Sequence, residues 1–234
     1  MTNLDILFED NHLIAINKRS GDIVQGDKTG DIPLSEQIKE FLREKYNKQG
    51  NVYCGVIHRI DRPVSGVVIF AKTSKALARM NQLIHDRQIQ KRYWAIVKNL
   101  PDNSKGNLVH YLCKNERNNK AIVSNVPRDG YIKAELNYEV IASSDHYHLL
   151  DIELITGRHH QIRSQLSAIG SPIKGDLKYG FPRSNPDASI SLHARSISFT
   201  HPVTLQPTTI TAPPPKDKLW EWFCVFCATT SRRP

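Results

Sequence analysis

Apolar and polar positions divide the chain into short strands and a few helices. The runs ILFED and LIAINK, separated by Asn11 and His12, are typical of the two strands of a hairpin. VVIFAK has the continuous apolar character of a buried strand, whereas AELNYEVIA and HLLDIELI alternate as half-buried antiparallel strands do. Further strand-like segments are RYWAIVK, LVHYLC, AIVS, SISLHARSISF and TTITA.

Helical periodicity marks the remaining segments. The helix predicted after Pro33 has one face formed by Leu34, Ile38, Leu42 and Tyr46. The next helix, for which Ser74 is the expected N-cap, has an inner face of Leu77, Met80 and Ile84. The segment HHQIRSQLSAIG carries a stripe of Ile162, Leu166 and Ile169, with Gly170 as its stop signal. KLWEWFCVFC indicates a packed terminal helix.

These elements predict one α+β domain over residues 1–234, built on a mixed, largely antiparallel sheet with flanking helices. A chain of this length can bury a core without metals or disulfides. The apolar run Val67 to Ala71 is too short to cross a bilayer. The start MTNLDILFED lacks the basic and apolar segments of a secretory signal, so we expect a cytoplasmic protein.

The charge distribution favours a polyanionic partner. The chain has 32 basic and 23 acidic residues, a formal net charge of +9. Residues 1–71 contribute −1, residues 72–120 contribute +8 and residues 121–234 contribute +2. One middle stretch therefore holds nearly the whole excess, either to bind a polyanion or as a solvated lysine-rich face.

The cysteines offer little chemistry. Cys224 and Cys227 form a CxxC pair, but no second pair or suitably spaced histidines accompany it, as a zinc site requires. A redox CxxC would follow a strand, whereas this one lies in the apolar terminal segment. We therefore expect all four cysteines, which include Cys54 and Cys113, to be buried core thiols.

Two clusters can carry chemistry. In HRIDRPVSG, Asp61 lies between Arg59 and Arg62, and Ser65 and Gly66 indicate a turn before the buried strand. A carboxylate between guanidiniums stays ionised, which suits a nucleophile or an electrostatic stabiliser, although such a triplet is also common as a surface ion pair. The serine lacks the GxSxG elbow of a Ser-His-Asp hydrolase.

The second cluster, GRHHQIR, places cations and donors at the expected start of a helix, where phosphate or carboxylate can bind. Its cationic and polar members are Arg158, His159, His160, Gln161 and Arg163. A metal site is the weaker interpretation, because adjacent residues on a helix point to different faces.

At these motifs the chain resembles the RluA-type pseudouridine synthases, which modify ribosomal or transfer RNA. The matching segments, in the order of the family, are HRIDRPVSGVVIFAK, KRYWAIV, GRHHQIR, GSPIKGDLKYG and LHARSISFTHP. The resemblance implies a largely antiparallel sheet with a central active-site cleft, RNA as the partner, and a reaction that needs neither metal nor cofactor. We expect a monomer.

The resemblance also implies residue roles. Asp61 matches the essential aspartate, which acts at the ribose, either at C1′ or on the 2′ proton. Tyr93 matches the tyrosine that stacks on the target uracil, although a tyrosine packed within the sheet is the alternative. Arg163 matches the arginine that pairs with the aspartate. Arg62 matches the residue that enters the gap left by the flipped nucleotide, and His58 supports the loop.

The residues expected to bind substrate are Arg62 and His58 of the first motif and Arg158 and His160 of the second. The chain departs from the family pattern at Val64, His159, Gln165 and Ser171. None of these changes removes an expected catalytic group, so we expect them to affect RNA contacts or cleft shape.

We expect no additional N-terminal RNA-binding domain, which leaves residues 72–120 to follow the phosphates. Two other functions stay open. A catalytically silent RNA-binding factor would retain the fold, and a metal-dependent RNA hydrolase would use His159 and His160.

Overall fold

The computed structural model describes residues 4–26 and 30–230. The chain forms two compact units, the first Met1–Gln90 with Ala194–Pro213 and the second Lys91–His193 with Pro214–Pro234. Each unit has strands and helices of its own. One domain over residues 1–234 stays a prediction.

The strands, in chain order, are β1 (Ile6–Glu9), β2 (Leu13–Lys18), β3 (Gly55–Val56), β4 (Ser65–Ala71), β5 (Gln90–Val97), β6 (Lys105–Asn115), β7 (Lys120–Ser124), β8 (Ile132–Ser143), β9 (His148–Leu154), β10 (Leu192–Thr200) and β11 (Pro207–Thr211). The helices are α1 (Leu34–Lys45), α2 (Ser74–His85), α3 (Gln161–Ala168) and α4 (Lys218–Thr230), and a 3-10 turn occupies Leu177–Tyr179.

In the first unit the strand order is β1–β2–β4–β10, with β3 beside β4 and β11 beside β10. The predicted hairpin of β1 and β2 is confirmed. β2 pairs with β4 in antiparallel register from Leu13 opposite Ala71 to Lys18 opposite Gly66. All of β4 is buried, and it begins at Ser65. The prediction of a turn at Ser65 and Gly66 is therefore wrong, because both residues already belong to the strand.

Helix α1 covers one side of this unit. Its buried residues Leu34, Ile38 and Leu42 pack in one cluster with Val68 and Phe70 of β4, as the apolar spacing predicted. The fourth residue predicted for this face lies elsewhere.

That fourth residue, Tyr46, is the C-cap of α1 and is 47% exposed. Its hydroxyl donates to Glu9 Oε1 at 2.6 Å. Because α1 ends at Lys45, Tyr46 does not belong to its buried face.

The N-cap of helix α2 lies one residue earlier in the chain than predicted. Thr73, in extended backbone, accepts the N–H of Ala76 on Oγ1 at 3.1 Å, so Thr73 and not Ser74 is the N-cap. Ser74 is the first helical residue and is exposed. The inner face is correct, since Met80 is fully buried with Leu77 and Ile84 half-buried beside it.

In the second unit the strand order is β5–β9–β8–β6–β7, and these neighbours pair in antiparallel register. Helix α4 packs Trp220 and Phe223 into a cluster with Ile96 of β5 and Leu149 of β9. Gly170 follows α3 with φ of 80°, so the predicted stop of that helix is confirmed.

The prediction of buried core thiols is wrong in detail, because all four cysteines are half-buried. In α4 the core positions are taken by Trp220 and Phe223, which leaves Cys224 and Cys227 partly at the surface.

The α+β class with a largely antiparallel sheet is confirmed by these pairings. Within residues 4–26 and 30–230, no helix has the length and apolar character needed to cross a membrane.

Candidate active site

The loop between β3 and β4 carries three predicted site residues, His58, Asp61 and Arg62. Asp61 is half-buried, and its carbonyl accepts the N–H of Val64 at 3.0 Å. The carbonyl of Arg62 accepts the N–H of Gly21 at 2.9 Å. These bonds fix a tight turn, and Asp61 lies on this turn shortly before the buried strand β4 begins.

Lys18, at the end of β2, anchors the backbone of the same loop through hydrogen bonds. Its ammonium is fully buried and donates to the carbonyls of Arg19, Asp22 and Arg62 at 2.8, 2.8 and 3.0 Å. Burial lowers the pKa of Lys18 to about 8, while the charges of Asp22 and Asp61 oppose part of that shift. Lys18 therefore supplies both a backbone anchor and a positive charge close to the candidate carboxylate.

His58 and Arg62 occupy different environments within this unit. Nε2 of His58 accepts the N–H of Ile69 at 3.2 Å, so the ring supports strand β4, and its expected support of the loop stays a prediction. Arg62 is exposed, and its Nη2 lies 2.7 Å from Oδ2 of Asp31. An exposed pair of this kind contributes little to stability, so Arg62 can exchange Asp31 for another anionic partner.

In the second unit, Arg163 lies on α3 and forms a buried pair with Asp176. Nε donates to Oδ2 at 2.6 Å, and Nη2 donates to Oδ1 at 2.9 Å. Arg163 is 5% exposed and Asp176 is 1% exposed. Bidentate pairing in such a buried place holds the guanidinium in one plane.

Tyr179, three residues after Asp176, also contacts Arg163. The guanidinium carbon of Arg163 lies 5.1 Å from the centroid of the Tyr179 ring. The hydroxyl accepts the N–H of Ala121 at 2.6 Å and lies 2.9 Å from Nδ1 of His160. His160 is buried, and its expected role in substrate binding stays a prediction.

The two histidines differ from the helical arrangement expected. Helix α3 begins only at Gln161, and His160 adopts a left-handed φ of 50° as its N-cap. This backbone turn stacks the rings of His159 and His160 with centroids 3.8 Å apart, so the expectation that they point to different faces is wrong. Among the described residues, no group of three or more His, Cys, Asp or Glu side chains is placed to hold a metal ion.

Tyr93 lies on β5 opposite Ile152 of β9 and is 7% exposed. Its burial fits the packed strand tyrosine, and stacking on a uracil stays a prediction. Arg158, in contrast, is exposed, and its Nε donates to the carbonyl of Lys133 at 3.1 Å.

The sequence interpretation missed three residues of these groups: Lys18, Asp176 and Tyr179. Lys18 had a visible signal, since it is the charged end of the apolar strand LIAINK. Asp176 and Tyr179 lie in GDLKYG, which contributed to the resemblance but received no role.

The chain is similar to known proteins in sequence and in fold. Residues 12–168 match the family model for RNA pseudouridylate synthase. An uncharacterized RNA pseudouridine synthase of Chlorobaculum parvum is 31% identical over 92% of this chain and 72% of its own length. The tRNA pseudouridine synthase C of Haemophilus ducreyi is 33% identical over 89% of this chain and 90% of its own.

Two further similarities concern ribosomal RNA and the fold. The ribosomal large subunit pseudouridine synthase C of Vibrio vulnificus is 33% identical over 89% of this chain, which spans 65% of that protein. The solved structure of human RNA pseudouridylate synthase domain containing 4 has a TM-score of 0.78 and 23% identity, covering 93% of this chain and 91% of that one. The matched motifs, relatives and fold agree, and the chain belongs to the RNA pseudouridylate synthase family of enzymes, which isomerise uridine in RNA.

Proposed function

We propose that this enzyme isomerises uridine in ribosomal or transfer RNA with Asp61 as its catalytic residue. The observation that supports this role is the position of Asp61. Its half-buried carboxylate stands on a loop whose backbone is anchored by the buried ammonium of Lys18. An attack on the ribose or removal of its 2′ proton uses a carboxylate, and the positive charge of Lys18 acts on the carboxylate of Asp61.

The reaction conserves every atom. The bond from N1 of uracil to C1′ breaks, the ring turns, a bond from C5 to C1′ forms, and the C5 proton is replaced by a proton on N1. Glycoside hydrolysis typically uses two carboxylates, one of which protonates the leaving group. With a single carboxylate at this motif, the uracil departs as a stabilised anion and is retained for the second bond. No metal or cofactor takes part in the proposed steps.

The remaining roles follow from the same proposal. The target nucleotide leaves its stack, which costs a few kcal/mol. Tyr93 stacks on the extruded uracil, Arg62 enters the gap, and Arg163 is the guanidinium partner of the catalytic carboxylate. His58 supports the loop, and Arg158 contacts the RNA backbone. We further propose that the enzyme acts as a monomer in the cytoplasm.

The substrate class stays at ribosomal or transfer RNA, because relatives named for each are about equally similar. Of the four departures from the family pattern, Val64, Gln165 and Ser171 are buried. We propose that these three act on the shape of the site, and that only His159, which is partly exposed, contacts RNA directly.

The test compares the wild type with Asp61→Asn on RNA from a strain that lacks the gene. Pseudouridine is mapped chemically in ribosomal and transfer RNA after incubation with each protein. We expect the wild type to modify one or more uridines, and Asp61→Asn to reduce the rate by at least about a thousandfold. Asp86→Asn, an exposed acid at the end of α2, is the matched control and retains full activity.

Two outcomes contradict the proposal. Wild-type protein that modifies no uridine in either RNA class removes the enzymatic function. An Asp61→Asn protein with normal activity removes the catalytic role of Asp61. Full rescue of a ribosome-assembly defect by Asp61→Asn supports the silent RNA-binding factor, and loss of activity with a chelator supports metal-dependent chemistry.

A further inference from the structure

A short segment after α3 contains Asp176 and Tyr179, which both contact the side chain of Arg163. The backbone of Asp176 is fixed from both sides, since its N–H donates to the carbonyl of Ile173 and its carbonyl accepts the N–H groups of Tyr179 and Phe181. Its carboxylate is almost fully buried. An acid in such a place needs a permanent partner, which Arg163 supplies.

The pairing uses only one edge of the guanidinium. Asp176 accepts from Nε and Nη2, and any second carboxylate or polar group must approach Arg163 through the other edge, at Nη1 and the remaining Nη2 hydrogen. The direction of that second edge is therefore determined by Asp176.

The ring of Tyr179 also restrains the Arg163 guanidinium. Its ring lies beside the guanidinium at 5.1 Å, a cation–π distance. The ring cannot turn freely, because its hydroxyl is bound to the N–H of Ala121 on β7 and to His160 at the start of α3. One edge of the Arg163 guanidinium is thus held by Asp176, and its carbon lies 5.1 Å from the restrained ring of Tyr179.

We propose that Asp176 and Tyr179 are positioning residues that fix the plane and direction of the Arg163 guanidinium. This inference rests on the proposed function, in which Arg163 serves the reaction. Preorganised charges contribute to rate because they need no reorientation while the reacting charge develops. Loss of the positioning therefore reduces kcat, whereas RNA binding, which depends on many contacts, is unchanged.

The test measures kcat, KM and RNA affinity for Asp176→Asn and Tyr179→Phe. Asparagine keeps the shape of Asp176 but loses the charge-assisted pair, and we expect kcat to fall about 30-fold with KM within twofold. Phenylalanine keeps the ring but releases it from Ala121 and His160, and we expect a three- to tenfold fall in kcat. Asp187→Asn, an exposed acid of the same unit, is the control and has no effect.

A double-mutant cycle separates positioning from general destabilisation. In the background Arg163→Lys, which cannot form the bidentate pair, we expect Asp176→Asn and Tyr179→Phe to lower kcat by less than twofold further. Multiplicative losses in that background mean that the two residues do not act through Arg163 and overturn the inference. If Asp176→Asn does not fold, the Tyr179→Phe cycle decides alone.

The outcome is distinguishable from failure of the proposed function. An inactive wild type contradicts the function itself. An active wild type with unchanged kcat in Tyr179→Phe and Asp176→Asn contradicts only the positioning roles.

Discussion

Lys18 is a buried charged residue of the candidate site. A fully buried ammonium is costly, and here three backbone carbonyls and the nearby charges of Asp22 and Asp61 compensate it. Part of that cost remains, because burial lowers its pKa from 10.5 to about 8. The folded protein therefore releases this proton at lower pH than the unfolded chain does.

This difference makes a prediction for stability against pH. Between about pH 8 and 10.5 the unfolded state binds more protons at Lys18 than the folded state, so the Lys18 contribution to the free energy of unfolding rises with pH. The rise amounts to roughly 3 kcal/mol over that window. Urea unfolding of wild type and Lys18→Met at several pH values measures it as the difference between the two proteins. A difference that stays constant from pH 7 to 11 contradicts the lowered pKa.

At the scale of elements, Gly66 allows the close approach of β4 to β10 in the first unit. Its φ is +116°, and a Cβ at this position would lie 2.3 Å from the carbonyl oxygen of Ala194. The sequence suggested a turn glycine, whereas the structure requires glycine because two backbones meet there.

We expect Gly66→Ala to lower the free energy of unfolding by about 3 kcal/mol, because backbone strain and a steric clash add. Gly130→Ala is the matched control. Gly130 also has a positive φ, +74°, but a Cβ added there would meet no atom within 4 Å, so strain alone costs about 1 kcal/mol. Chemical denaturation measures both variants, and equal losses would show that the contact with Ala194 is unimportant.

The cap of α2 provides a second prediction at this scale. Thr73→Ala removes the bond from Oγ1 to the N–H of Ala76 and is expected to cost about 1 kcal/mol of unfolding free energy. Ser74→Ala changes the exposed first residue of the helix and is expected to be nearly neutral. Thermal and urea unfolding of the two variants test the assignment, and the reverse order of effects would restore Ser74 as the cap.

At the scale of the whole molecule, the basic stretch of residues 72–120 is less uniform than its sequence implies. It is divided between the two compact units at Gln90. Within the second unit, Arg92 pairs with Asp151, Lys105 with Glu139 and Lys114 with Glu116. Burial also lowers the pKa of Lys91. Asp151 and Glu139, which lie outside this stretch, thus neutralise part of the +8 excess.

A more compact basic cluster lies at the turn between β6 and β7. Arg117 is on this turn and Lys120 begins β7, and Lys178 reaches the turn by donating to the carbonyls of Asn118 and Asn119 at 3.4 and 3.3 Å. His159 lies 3.5 Å from the same Asn119 carbonyl. The turn is therefore joined to the start of α3, two residues before Arg163, and its cations form a surface that can bind phosphates of RNA.

The prediction concerns the salt dependence of RNA binding. Arg117→Ala with Lys120→Ala should weaken binding and reduce the slope of log affinity against log salt by roughly 1.5, about 0.7 to 0.9 for each lost phosphate contact. Lys105→Ala, which removes an ion-paired lysine of β6, is the control and should leave the slope unchanged. Filter binding of a transcript at several salt concentrations measures the slopes, and identical slopes in all three proteins exclude this turn from the interface.

The strands and helices could be predicted from the residues alone, because their signals are local. Periodicity located the buried faces of α1 and α2 and the run of β4, and the motif around Asp61 pointed to the chemistry. Where local signals competed, as at the cap of α2 or at Ser65 and Gly66, the boundary moved by one or two residues. The family followed from motif order, which needs no coordinates.

The partners of charged groups, in contrast, became known only from the folded chain. Lys18 meets the carbonyl of Arg62, 44 residues away, and Arg163 meets Asp176 across a turn. The pairing of Arg92 with Asp151 joins two neighbouring strands. Charge and hydrogen-bond pairing depends on which segments the sheets bring side by side, and no local pattern of residue types contains that information.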